Sequence, residues 1–122
     1  MSGSRRLLVV EDDESIREMI EMVLDSEGYQ VVAATNGAAA LDLLRRERPD
    51  LILLDMKMPV MDGWEFARHY AALPEPRPPI VVLTAAQDAG RRAAEIGAQG
   101  YLAKPFGIDD LLRIIDDHLL IC

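Results

Sequence analysis

Apolar and polar positions along the chain follow two alternating periods. Five short apolar runs, Leu7–Val10, Val31–Ala34, Leu51–Leu54, Ile80–Leu83 and the brief Tyr101–Ala103, are separated by segments whose apolar residues recur at helical spacing. Runs of this length, rich in Val, Ile and Leu without strict alternation, predict strands buried on both faces of a parallel sheet. Between the first two runs, Ile16, Met19, Ile20, Val23 and Leu24 form one helical stripe, which Gly28 stops from the C′ position. Ser15-Ile16-Arg17-Glu18 has the form of a capping box at the start of that helix. A second helix is expected from Asn36-Gly37 through Arg46, with Pro49 closing the connection. A third spans Gly63 to Ala72, ahead of the Pro-rich loop Pro74–Pro79. A short fourth ends at Gly97, and the last places Ile108, Leu111, Leu112, Ile115 and Leu119 on one stripe. Five β-α units without a break in composition predict a single α/β domain, with right-handed crossovers placing helices on both faces. No repeat, low-complexity stretch or linker interrupts it, and no second domain is expected after the last helix.

Composition narrows the class. A chain of 122 residues can bury about two-thirds of its surface, enough for a core without staples. Half of it is hydrophobic, which excludes a disordered acidic tail. Lys and Arg number 13 against 21 Asp and Glu, a net charge of −8, so no nucleic-acid partner is expected for this chain. The single cysteine, Cys122, excludes a disulfide framework and fits a cytoplasmic location. No apolar run is long enough to span a membrane, and the first residues do not form a secretory signal. Residues 1–5 read as an N-terminal tail in which Ser2-Gly3-Ser4, a candidate expression scar, carries no weight for the fold.

Ligands of open α/β sheets bind beyond the carboxyl ends of the strands. The first run is followed there by Glu11, Asp12 and Asp13, the third by Asp55, the fourth by Thr84 and the fifth by Lys104-Pro105. The second delivers only Thr35 and Asn36, which read as turn residues. Converging carboxylates repel one another; at about 4 Å each like pair costs about 4 kcal/mol at an effective dielectric of about 20. Lys104 alone cannot balance three. An all-oxygen donor set favours Mg²⁺ or Mn²⁺ over Zn²⁺, and a metal, a lysine and a hydroxyl beside Asp55 would suit a phosphoryl group. Each residue also has a plainer reading. The acidic trio complements a helix N-terminus, Asp55 ends a strand, Thr84 caps a helix and Lys104 is a surface lysine. The coincidence at four strand ends favours the shared site.

Leu8-Val9-Val10-Glu11-Asp12-Asp13, Leu53 through Gly63 (Leu-Leu-Asp-Met-Lys-Met-Pro-Val-Met-Asp-Gly), Leu83-Thr84-Ala85 and Tyr101-Leu102-Ala103-Lys104-Pro105-Phe106 together resemble the receiver domain of two-component response regulators. The resemblance covers the chain from Arg6 on. It implies a receiver domain over residues 6–121 with the flavodoxin-like, doubly wound fold: a five-stranded parallel sheet of order 2-1-3-4-5 and five helices on both faces. It implies that Asp55 accepts a phosphoryl group from the phosphohistidine of a sensor histidine kinase or phosphotransfer protein. Glu11, Asp12 and Asp55 would hold Mg²⁺ (or Mn²⁺) with the backbone carbonyl of Lys57, which demotes Asp13 to the helix start. Thr84 and Lys104 match the groups that contact phosphoryl oxygens, and Thr84 and Tyr101 match the switch pair. Lys104-Pro105 matches a bond that is usually cis, and Met58-Pro59 and Asp62-Gly63 shape the loop after the acceptor. The implied output is a change in the surface of the fourth helix, fifth strand and fifth helix that controls a downstream protein, from a monomer or a phosphorylation-dependent homodimer. Such a protein is a signalling switch rather than a turnover enzyme.

Departures and competitors complete the picture. The segment from Thr84 to Lys104 is about two residues shorter than the family pattern. Ala86 stands where a polar side chain is common, and Lys57 places a cation two residues after the acceptor. A receiver-like interaction or dimerisation module that works without phosphate is the alternative, disfavoured by the intact Glu11, Asp12, Asp55, Thr84 and Lys104 set. An aspartyl phosphohydrolase would carry an acid where Lys57 stands. His69 and His118 lack metal-ligand spacing, and Arg91 and Arg92 read as a solvated helix face. Trp64 is either a contact-surface or a packing residue. Ile114, Leu120 and Ile121 lie partly off the last stripe, as a partner face or as isolated apolar residues.

Overall fold

The computed structural model describes residues 5–85 and 87–119; Ala86, Leu120, Ile121 and Cys122 lie outside these. The apolar runs become β1 (Arg6–Val10), β2 (Gln30–Ala34), β3 (Leu51–Asp55), β4 (Ile80–Ala85) and β5 (Gly100–Lys104). Between and after them come α1 (Glu14–Ser26), α2 (Gly37–Glu47), α3 (Gly63–Ala71), α4 (Ala89–Ile96) and α5 (Ile108–Leu119). All strand pairs are parallel, in the order β2-β1-β3-β4-β5.

Successive strand residues point to opposite faces, so each run feeds two cores. Leu8, Val10, Ile52, Leu54, Ile80 and Val82 pack with Ala40, Leu41, Leu44, Phe66 and Ala93 from α2, α3 and α4. Leu7, Val9, Leu51, Leu53, Val81 and Leu83 pack with Ile20, Leu24, Leu111, Ile115 and Leu119 from α1 and α5. The three central runs are therefore continuous, whereas the edge strands β2 and β5 are only half covered.

Local chemistry sets the helix ends. Asp13, not Ser15, caps α1: its carboxylate accepts the Ile16 N–H at 2.9 Å, which leaves the Ser15 capping box unused. At the other end Gly28, at φ +91°, and Tyr29 donate their N–H groups to Asp25 and Leu24 carbonyls, the paired bonds of a left-handed C-terminal cap. Asn36 and Asp62 cap α2 and α3 in the same manner as Asp13. α4 has no side-chain cap and ends at Gly97 in the left-handed region. Ile114 packs against the α1/α5 core. His118 lies against Gly100 with its Nδ1 2.8 Å from the Ile114 carbonyl, and His69 is exposed.

Candidate functional site

The carboxyl ends of β1, β3, β4 and β5 converge because the register aligns them: Val10 lies beside Leu54, Asp55 beside Leu83, and Ala85 beside Lys104. Asp55, Thr84 and Lys104 belong to their strands rather than to the loops beyond, so the sheet itself fixes their backbones. Glu11 follows β1 and continues its ladder by donating its N–H to the Ala34 carbonyl at 3.0 Å. Its carboxylate is fully buried. One oxygen accepts the Asp13 N–H at 3.1 Å, and the other lies 2.8 Å from Lys104 Nζ. The same ammonium is 3.6 Å from Asp55 Oδ1.

One carboxylate oxygen from each of Glu11, Asp12 and Asp55 lies within 4.8 Å of the others, with Glu11 and Asp55 buried and Asp12 exposed at the rim. Asp13 is occupied with the α1 cap. The lone lysine leaves this group short of positive charge. Burial, and then the charge of Glu11, push the Asp55 carboxyl up to about 7 against the lowering pull of Lys104. Burial acts to lower the Lys104 ammonium, but the hydrogen bond to Glu11 and the charges of Asp55 and Glu11 outweigh it and raise it. Three hard oxygen donors with unbalanced negative charge, open on the Asp12 side, fit a small hard dication better than a soft or monovalent one.

The loop after Asp55 is pinned by close backbone approaches. Gly63 donates to the Met56 carbonyl at 2.9 Å, and a Cβ there would stand 2.8 Å from Met56 Cα, so only glycine lets α3 start so near the strand end. Gly37 holds the loop from α2 by donating to the Met61 carbonyl at 2.9 Å. Between these anchors Val60 sits at φ +69°, a conformation that a β-branched residue adopts only under constraint. Lys57 is exposed and borders a shallow pocket with Asp12, Met58, Asp62 and Trp64. Thr84 is buried in β4. Tyr101 on β5 is half exposed, its ring over Gly90 of α4. The Lys104–Pro105 peptide bond is cis.

The structure thus brings together Glu11, Asp12, Asp55 and Lys104 by direct distance, with Thr84 on the neighbouring strand. A cavity of about 1280 Å³ lies elsewhere: it opens at the amino ends of the strands between Leu44, the 74–79 loop and Leu119, and none of these groups lines it. Sequence reasoning missed the surroundings of Trp64. Its indole N–H donates to Glu95 at 2.9 Å, and Arg92 stacks on its ring with the guanidinium carbon 5.1 Å from the centroid. Arg92 is therefore a packed residue rather than part of a solvated face, while Arg91 remains exposed and pairs with Asp88.

Comparison with known proteins agrees with this geometry. Residues 7–116 match the family model described as the response regulator receiver domain. The chain is 38% identical over 118 residues to sporulation initiation phosphotransferase F of Bacillus subtilis, covering 95% of this chain and 94% of that protein. It is 42% identical over 109 residues to response regulator MprA of Mycobacterium sp. strain KMS, covering 88% of this chain but only 47% of MprA. Among solved structures it is similar to the receiver domain of the sensor histidine kinase PA1611 from Pseudomonas aeruginosa PAO1, crystallised with magnesium coordinated in its active-site cleft. There the TM-score is 0.87 and the identity 36%, over 96% of this chain and 98% of that one.

Proposed function

Because the chain belongs to the response regulator receiver domain family, we propose that it is a phosphorylation switch. It takes a phosphoryl group from the phosphohistidine of a sensor histidine kinase or phosphotransfer protein onto Asp55. In response it changes the α4-β5-α5 surface that a downstream protein reads. The observation that carries this reading is the buried Asp55 carboxylate packed among Glu11, Asp12 and Lys104. Residues 6–121 act as the receiver domain and residues 1–5 as a tail. The cytoplasm, where the single cysteine stays reduced, is its place of action.

In the transfer, an ionised Asp55 oxygen forms a P–O bond as the donor's P–N bond breaks. The imidazole leaves with the bonding electron pair and carries a proton as the neutral ring. Glu11, Asp12, Asp55 and the Lys57 carbonyl would hold Mg²⁺, or Mn²⁺ in its stead. When bound, such a dication supplies the positive charge that the carboxylates and incoming phosphoryl oxygens need. Lys104, already between Glu11 and Asp55, is placed to pair with a phosphoryl oxygen. Thr84 supplies a hydroxyl donor on the next strand. The aspartyl phosphate adds about −1.5 to −2 charge and strong acceptor oxygens. Thr84 moves toward them, and Tyr101 turns inward from its half-exposed position. The phosphoryl group thereby biases two packings of one surface. The exposed Lys57 ammonium stands at the entrance and contributes to the lifetime of the phosphorylated form.

Incubation with phosphoramidate, which presents a P–N bond, followed by intact-protein mass spectrometry tests the reading. One phosphoryl adduct is expected with Mg²⁺ and none with excess chelator or in Asp55→Asn. An adduct of equal yield in Asp55→Asn would overturn the assignment.

A further inference from the structure

α4 is an unusually dependent helix. It spans eight residues, has no side-chain cap, includes Gly90, and buries only the small residues Ala89 and Ala93. Ile96 packs partly buried against the same core, and Arg92 and Glu95 both reach to one residue of α3. Glu95 accepts the Trp64 indole N–H at 2.9 Å, and Arg92 lies over the Trp64 ring. Arg92 Nη1 also contacts both Glu95 oxygens at 3.2 Å, closing a three-residue clasp. Trp64 in turn borders the pocket of Asp12 and Lys57 at the mouth of the acceptor site. It opens α3 immediately after Gly63, whose N–H is tied to the Met56 carbonyl. A continuous path of contacts therefore runs from the residue after Asp55, through Gly63 and Trp64, to α4.

We propose that the Trp64–Arg92–Glu95 clasp is a positioning device that holds α4 in its unphosphorylated packing and couples it to the acceptor site. The proposal rests on the phosphorylation-switch reading and assigns that switch a restraint on the α3 side, opposite the β5 side where Tyr101 lies. Among the described residues, Arg92 Nε is buried without a hydrogen-bond partner. A shift of α4 therefore breaks no protein hydrogen bond at this nitrogen, and the clasp is a hold that can be released. The hydrogen bond from Trp64 also lowers the Glu95 carboxyl, with Arg92 adding to it, as mutually supporting contacts would. A restraint present in one state alone lowers the affinity for any ligand that selects the other state.

The test measures Mg²⁺-dependent beryllofluoride binding by calorimetry, with hydrogen exchange of the α4 amides alongside. Trp64→Phe and Glu95→Ala are each expected to tighten beryllofluoride binding by about fivefold, within the usual range of coupling between sites, and to speed α4 exchange. The double variant is expected to bind no tighter than the better single one, since the three residues act as a unit. Glu95→Gln, which keeps an acceptor for the indole, returns toward wild type, and Arg91→Ala on the same helix leaves binding unchanged. Glu95 is exposed, so Glu95→Ala keeps the test open should Trp64→Phe fail to fold. Clasp variants that bind as wild type does, or effects that simply add, would overturn the proposal. A wild type that does not bind beryllofluoride would overturn the switch reading itself, and the clasp with it.

Discussion

Replacing Asp55 by Asn should make the metal-free protein more stable, although it removes the proposed acceptor. The carboxyl is held near 7 by burial and by Glu11, whereas an unfolded chain titrates it near its ordinary value of about 3.9. Between these values the native state binds more protons than the unfolded state, so stability falls as pH rises through this window. Below about pH 4 both states are protonated and the deficit vanishes; above about pH 7 it is complete. A gap of about three units corresponds to about 4 kcal/mol. Asparagine keeps the shape but forgoes the attraction of Lys104, so a gain of about 2–3 kcal/mol at pH 8 is expected. For a domain of this size that is a rise in Tm of about 10 °C. Thermal unfolding in chelator at pH 8 and at pH 4 measures it: Asn above wild type at the first, and nearly level at the second. Adding Mg²⁺ at pH 8 should then narrow the gap, because wild type gains binding energy that the variant largely lacks. A variant no more stable than wild type at pH 8, or a gap that persists unchanged at pH 4, would refute the reasoning.

Three further outcomes follow from the same geometry. Lys104→Gln strands the buried Glu11 carboxylate, and denaturant titration at pH 8 should show a loss of about 3 kcal/mol, together with loss of the phosphoryl adduct. Gly63→Val drives a side chain into the Met56 backbone; a loss of about 1–3 kcal/mol is expected, with weaker Mg²⁺ binding by titration because the loop carrying Lys57 is displaced. Phe66→Ala empties the centre of the α2–α4 core, where Phe66 is fully buried, and should cost about 3–5 kcal/mol in chemical unfolding with Asp55 labelling retained at low temperature.

Much of this architecture is legible in the chain because burial on two faces forces Leu51–Leu54 and Ile80–Leu83 to be apolar without interruption. Strand limits are less so. Asp55, Thr84 and Lys104 are polar yet lie within strands, since backbone pairing with the neighbour continues where apolar packing has stopped. Both Asp13 and Ser15 have capping chemistry; the choice of Asp13 depends on where β1 releases the chain, which local pattern does not contain. The gathering of Glu11, Asp12, Asp55 and Lys104 was readable because the sheet rule places strand ends together. The Trp64 clasp was not: Arg92 and Glu95 have the spacing of an ordinary surface ion pair, and only the packing of α4 on α3 brings them to an indole about thirty residues away in sequence.

The central claim is that Asp55 itself becomes an acyl phosphate. The most direct measurement is borohydride trapping after phosphoramidate treatment in Mg²⁺, with peptide mass spectrometry of the segment holding Asp55. Hydride displaces phosphate from the acyl carbon and reduces that residue to homoserine. The expected result is homoserine at position 55 and at no other carboxylate, abolished by chelator. Unmodified Asp55 beside a phosphorylated protein, or reduction at Asp12 or Asp62 instead, would contradict it.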